Sequence, residues 1–203
     1  MNDLLNHLKL LSEHLEELQR PWAIVGALAC NEYVEEPRFT SDIDIAIAIG
    51  ENDNSFLSEL SNLGYVLLET SIHPEKEFVT SARLLGLDSE FGRFFIDILL
   101  NSTGIENEIT SRASKKEILP NLVIPIASLG CLIAMKTLAI ISPERIIEKV
   151  MNDEADMIAL LRTAKKEDLE EAKEIAELIN KNYSIEIPNV ETKLKELIRK
   201  YKS

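Results

Sequence analysis

Aromatic residues are scarce in this sequence. Phe, Tyr and Trp make up 5% of it, so aliphatic side chains must do most of the packing. Cysteine is scarcer still. Cys30 and Cys131 both sit in apolar sequence, and neither has a CxxC partner or metal-type spacing. This excludes a disulfide scaffold and reads as reduced core thiols in a cytoplasmic protein. No secretory signal opens the sequence. Its longest apolar stretch, LVIPIASLGCLIAM, is broken by Pro125 and Gly130, which argues against a membrane span or a membrane partner. His7, His14 and His73 show no ligand spacing and read as surface or satisfied residues. There is no P-loop, no GxGxxG and no serine nucleophile elbow, so kinase, Rossmann and hydrolase assignments lack support.

Positive charge is also in short supply. Twenty-two Lys and Arg face 35 Asp and Glu, a formal net charge of −13. A uniformly acidic surface repels polyphosphates, which excludes non-specific DNA binding. A phosphate-bearing substrate would need local cations or metal ions. The last helix departs from this acidity, with Lys193, Lys195, Arg199, Lys200 and Lys202 close together. A solvated helix end suited to its own macrodipole accounts for them, with RNA contact as the alternative.

Hydrophobic residues form 45% of the 203, ample for a core. Leu4, Leu5, Leu8, Leu11, Leu15 and Leu18 recur at helical spacing before Pro21. WAIVGALACNEYV then predicts a short strand, a Gly and a small-residue helix. In SDIDIAIAIG, Ile43, Ile45, Ile47 and Ile49 point one way while Asp42, Asp44, Ala46 and Ala48 point the other. A helix ended by Gly64 and a strand near YVLLET follow. TSARLLGLDS and RFFIDILLNS predict a hairpin in which Asp97 shares a face with Phe95 and Leu99.

From about residue 105 the pattern reads as helical. IENEITSRAS predicts a helix and LVIPIAS a short extended segment. Ser128 is placed to cap the helix LGCLIAMKTLAII. One or two helices over SPERIIEKVMNDEADMIALLRTA precede two amphipathic helices that end the sequence. The expected fold class is α/β (α+β): a small mixed sheet flanked by helices, then a helical C-terminal part. The expected division is 1–125 for the core with its N-terminal helix and 126–203 for a helical region completing the site. No internal repeat or low-complexity linker interrupts it.

Two carboxylates lie one pleat apart on a strand, with backbones about 7 Å apart on one face. Unpaired, they repel, and one would protonate. A divalent cation removes that conflict, and Mg²⁺ favours such hard oxygen ligands. Asp97, inside FFIDILL, is a third acid in an apolar run that has no structural use for it. A turn or cap for the DxD, and a satisfied core polar group for Asp97, are the bland readings. If the two strands are neighbours, three carboxylates converge as metal-dependent phosphoryl transfer requires.

The block VGALACNEYVEEPRFTSDIDIAIAI resembles the opening motif of polymerase-β-like nucleotidyltransferases, and within them the AbiEii/MenT-like toxin branch. Gly26 and Ala29 match that pattern, Ala27 stands where a second Gly or a Ser is usual, and Arg38, Thr40, Asp42 and Asp44 match fully. Asp97 resembles the family's third carboxylate, and Lys136 the Lys of a later helix. Arg145, Asp153 and Asp156 resemble the Arg…Asp-x-x-Asp segment that follows. The likeness runs over about residues 20 to 162.

The resemblance implies an Mg²⁺-dependent enzyme, with one or two ions, that moves a nucleoside monophosphate from an NTP to a hydroxyl acceptor. That acceptor is a tRNA 3′ end, a protein or a small molecule, and an antitoxin protein is a further partner. Asp42, Asp44 and Asp97 would hold metal and, with Lys136, carry the chemistry. Gly26, Arg38, Thr40, Ser41, Lys136, Arg145, Asp153 and Asp156 would hold the nucleotide. Arg38 suits either a phosphate or a bracing role on Asp42, with a surface salt bridge as the bland alternative. Lys136 could instead snorkel to water. Asp153 and Asp156, one turn apart, would orient Lys136 or Arg145 unless they are simply solvated. A non-catalytic nucleotide- or partner-binding module on the same fold is the alternative that Ala27 motivates. An unrelated α/β protein with incidental acids is a third reading.

Overall fold

A computed structural model describes residues 2–50, 53, 55–72, 78–88, 92–100, 104–143, 145–182 and 189–202. The first helix, α1 (Asn2–Glu17), buries Leu8, Leu11 and Leu15 as its leucine spacing predicts. A three-residue strand β1 (Trp22–Ile24) leads into α2 (Gly26–Asn31), then β2 (Asp42–Ile47), α3 (Ser55–Asn62) and β3 (Val66–Ile72). The hairpin expectation holds for β4 (Val79–Asp88) and β5 (Gly92–Leu99), which pair antiparallel. The tip of that hairpin, 89–91, and His73 lie outside the described residues.

The chain continues with α4 (Glu106–Arg112), β6 (Ser114–Leu119), β7 (Leu122–Ile126), α5 (Leu129–Ile141), α6 (Ile147–Thr163), α7 (Lys166–Asn182) and α8 (Val190–Tyr201). Seven strands form one mixed sheet in the order β3-β4-β5-β2-β1-β7-β6. The β2–β5 and β1–β7 pairs are parallel and the others antiparallel.

β6 corrects the expectation that only helices and one short extended segment follow residue 105. Its sequence, SKKEIL, is polar because it is an edge strand, paired only with β7, and so shows little apolar alternation. The extended segment LVIPIAS is its partner β7. Among the described residues of SPERIIEKVMNDEADMIALLRTA there is one helix, α6. Ser128 caps α5 as expected, its Oγ accepting from the Cys131 N–H at 3.2 Å.

The core face of the sheet is aliphatic. Ile43, Ile45 and Ile47 of β2, Ile96 and Ile98 of β5 and Leu84 of β4 are fully buried, which fixes the register of all three strands. The alternate residues of those strands therefore face the opposite side. Cys30 and Cys131 are buried free thiols. Burial pushes the first up to about 12 and the second to about 11, so neither is a nucleophile at neutral pH. His7 stacks on Phe94 with ring centroids 4.2 Å apart, and His14 Nδ1 hydrogen-bonds the Tyr65 hydroxyl at 2.8 Å. Among the described residues, no helix is long and apolar enough to cross a membrane.

Candidate active site

The parallel pairing of β2 with β5 sets Asp42 beside Phe95 and Asp44 beside Asp97. Since registered residues of neighbouring strands share a face, the three carboxylates project to the same side. All three line one cavity of about 350 Å³. The two strands are neighbours, and the three carboxylates converge on the same pocket.

Gly26 makes this possible. It opens α2 at φ +64°, and a Cβ there would lie 2.0 Å from Asp44 Oδ2. Both the left-handed backbone and the contact demand glycine. The adjoining Val25 N–H donates to the Asp44 carbonyl at 2.9 Å, which fixes the turn against β2. The resemblance places Gly26 among the residues that would hold a nucleotide. The geometry shows close approach, to a carboxylate of the chain itself.

Burial pushes the Asp44 carboxyl up to about 7, with the Asp97 charge adding to it against the pull of Lys136. Burial also raises Asp97, outweighing the opposing Arg83 guanidinium. These are carboxylates short of positive charge. Arg83 of β4 supplies part of it. Its Nη1 donates to Asp97 Oδ1 and Oδ2 at 3.1 and 2.9 Å, and its Nη2 to Asp42 Oδ2 at 3.2 Å. The guanidinium also lies over the Phe95 ring, 4.9 Å from its centroid.

A second ion cluster forms the cavity's floor. α6 presents Asp153 and Asp156 one turn apart, 2% and 6% exposed. Lys136 of α5, 8% exposed, donates to both, at 2.7 and 2.6 Å. Arg38 makes a bidentate pair with Asp156 through Nε at 2.7 Å and Nη2 at 3.0 Å. Arg145 holds Asp153 through Nε at 2.9 Å and Nη2 at 2.7 Å. Burial works against the ionised form of Asp156, but the bonds from Arg38 and Lys136 prevail and hold it below the usual range. The reading that Arg38 braces Asp42 is thus corrected: its guanidinium goes to Asp156, and Arg83 braces Asp42. Asp153 orients both Lys136 and Arg145, and Asp156 orients Lys136 and Arg38.

Ten of the eleven candidate site residues line the cavity, Gly26, Arg38, Thr40, Ser41, Asp42, Asp44, Asp97, Lys136, Arg145 and Asp153, and Ala27 lines it beside them. Asp156 supports the floor from outside that lining. Ser41 Oγ donates to Asp42 Oδ1 at 3.0 Å. Three residues that sequence reading missed also line it: Phe39, which is 80% exposed, Lys149 and Asn152. Lys149 is exposed, and its charge acts on Asp97. None of the α8 cations lines the cavity. Lys193 and Lys195 pair with acids of their own helix, and Lys202 Nζ donates to the Leu161 and Ala164 carbonyls at 2.7 and 2.5 Å. The helix-end reading of that cluster is the one these contacts favour.

The donor set fits a hard divalent cation: three carboxylates on one face, with backbone drawn close at Gly26. Among the described residues, however, no group of three His, Cys, Asp or Glu is drawn together closely enough to hold a metal ion as it stands. Arg83 lies between Asp42 and Asp97 instead.

No protein-family model matches the chain, and no curated protein matches it. Solved structures do. A crystal structure of an antigenic nucleotidyltransferase-like protein from Paracoccidioides brasiliensis superimposes with a TM-score of 0.57 at 18% identity, covering 96% of this chain and 93% of that one. ANT(2″)-Ia in complex with adenylyl-2″-tobramycin superimposes with a TM-score of 0.50 at 15% identity, covering 91% of this chain and 98% of that one. The fold is that of nucleotidyltransferase-like proteins, over nearly the whole length of both chains.

Proposed function

We propose that this protein is an Mg²⁺-dependent nucleotidyltransferase that moves a nucleoside monophosphate from an NTP to a hydroxyl acceptor. One observation carries the reading: Asp42, Asp44 and Asp97 face one cavity from adjacent parallel strands, with a glycine that leaves room for one of them.

Asp42, Asp44 and Asp97 would hold the metal. When bound, the dication supplies positive charge against the triphosphate and makes a nearby hydroxyl more acidic. Asp97 would take the proton of that hydroxyl as its oxygen attacks the α-phosphorus and pyrophosphate leaves. Lys149 and Arg145 face the cavity from α6 and the segment before it, and suit the triphosphate charge. Lys136 and Arg38 keep the floor rigid and leave it net positive: three cations stand on two acids. Thr40 and Ser41 line the rim, and exposed Phe39 offers a ring on which a base can stack.

The Arg38-x-Thr40-x-Asp42-x-Asp44 block supports placing the chain in the AbiEii/MenT-like toxin branch, with an antitoxin protein as partner and a tRNA 3′ end, a protein or a small molecule as acceptor. The fold neighbour ANT(2″)-Ia, solved in complex with adenylyl-2″-tobramycin, favours including small hydroxylated molecules in that set. Ala27, where the family pattern has Gly or Ser, favours the second reading, a nucleotide-binding module without turnover.

The test is incubation with each α-phosphate-labelled NTP, Mg²⁺ and RNA, protein or small-molecule acceptors. Label transfer that Asp44→Ala abolishes is the expected result. NTP binding without transfer to any acceptor supports the second reading, and absence of NTP binding overturns both.

A further inference from the structure

We propose that Arg83 is a built-in competitor for the divalent cation, seated between Asp42 and Asp97 until metal arrives and then carried across to Glu69. This rests on the metal-dependent reading above and adds a positioning residue to it.

The guanidinium occupies the oxygens a cation would need. It engages both oxygens of Asp97 and one of Asp42, all within 3.2 Å. A dication about 2.1 Å from these oxygens competes with the guanidinium for them, because two positive centres so close repel. The seat is not permanent. Arg83, Asp42 and Asp97 are each about a third exposed, and ion pairs that wet are weak. A dication can therefore displace the side chain.

The structure also provides somewhere for it to go. Arg83 is registered directly opposite Glu69 on β3, so their side chains share a face within cross-strand reach. The Glu69 charge acts on Asp97, which places it in the same neighbourhood. The Phe95 ring, under the guanidinium and on the strand between Arg83 and Asp42, supports the planar cation in either position.

The fold supplies this arrangement once the β4–β5 hairpin closes with Asp88 against Gly92. That register sets Arg83 against Asp97. Before metal binds, Arg83 relieves the repulsion among the acids and keeps them aimed at the cavity. After binding, its departure leaves the carboxylates to the metal, and its pairing with Glu69 keeps the released charge satisfied.

The experiment is calorimetric titration of the full chain with Mn²⁺, backed by Mn²⁺-dependent thermal shifts. It compares wild type with Arg83→Gln, Arg83→Lys, Glu69→Gln and the Arg83→Gln/Glu69→Gln double variant, each with and without a non-hydrolysable NTP. Arg83→Gln should bind Mn²⁺ about fivefold more tightly than wild type, the order expected from losing two partly exposed ion pairs. Arg83→Lys keeps the charge but loses the fork, and should fall between them. Glu69→Gln should weaken Mn²⁺ binding severalfold in the wild type and leave it unchanged in the Arg83→Gln background.

If Arg83→Gln binds Mn²⁺ no more tightly while the wild type binds it, Arg83 is a plain strut; the proposal falls and the nucleotidyltransferase reading stands. If the Glu69→Gln effect persists without Arg83, Glu69 acts through space and the transfer is overturned. Absence of Mn²⁺ binding in every protein, with NTP analogue present, overturns this proposal together with the metal-dependent reaction.

Discussion

Two clusters of charge meet at the cavity, and they differ in how far the chain satisfies them. On the floor, Asp153 and Asp156 are nearly inaccessible and hold three cations through five hydrogen-bonded nitrogens. On the wall, Asp42, Asp44 and Asp97 are half-buried and share one guanidinium, which touches only two of them. The floor is closed electrostatic structure: removing one member strands its partners. The wall keeps a deficit of positive charge that something outside the chain must supply. Under the proposed function the undercompensated carboxylates beside the cavity would take the metal, and the saturated ones hold the cavity in shape.

Substitutions in the two clusters should therefore diverge. Asp44→Ala should cut nucleotidyl transfer by roughly a thousandfold without lowering the melting temperature. A parallel loss of folding would erase the distinction. Asp156→Ala should do the reverse and destabilise the protein by about 3 kcal/mol in urea unfolding, because Lys136 and Arg38 lose a shared buried partner. Gly26→Ala should cost about 2–3 kcal/mol through its left-handed backbone and its clash with Asp44. It should also impair metal binding, so it touches both clusters' properties at once.

The wall's deficit should also appear in the pH dependence of metal-free stability. The Asp44 pKa is raised in the folded state, from an ordinary value near 3.8 to about 7. The folded protein thus holds that proton more tightly. The resulting stabilisation is complete below about pH 4 and is lost as pH rises through 7. In the presence of a chelator, Asp44→Asn should match wild type near pH 4. It should exceed it by about 2 kcal/mol near pH 8, allowing for water reaching a half-buried group. Equal stability at both pH values would mean the wall is already compensated. Smallest of all, Lys149→Ala should raise the KM for NTP about tenfold with little change in kcat, a sign of charge aimed at substrate rather than at a structural partner.

Much of the wall was legible in the sequence because it rests on period-two arithmetic. Isoleucines at 43, 45 and 47 require the residues between them to face the other way, and an aspartate inside FFIDILL had no packing reason to be there. The floor was legible only as residue types. Asp153 and Asp156 were visible as a helical pair, but Arg38 lies 118 positions from Asp156, and nothing local indicates that they meet. Arg83 was missed because a lone arginine in a strand is unremarkable until the hairpin register is known. Had the pairing of Asp88 with Gly92 been readable, counting back along both strands would have set Arg83 opposite Asp97. β6 was missed because an edge strand can be polar on both faces. Lys149 looked like one of many charges on an exposed helix.

The ion cluster beneath the cavity also bears on where this protein can be cut. Its two acids come from α6, one cation from α5, another from the segment before β2 and the third from just ahead of α6. A boundary drawn near residue 125 divides the sequence, but it runs through that knot. A fragment ending there would present Arg38 with no carboxylate, and the complementary fragment would lose the bidentate partner of Asp156. The two parts are tied together by these ion pairs at the floor of the cavity where, under the proposed function, substrate would rest.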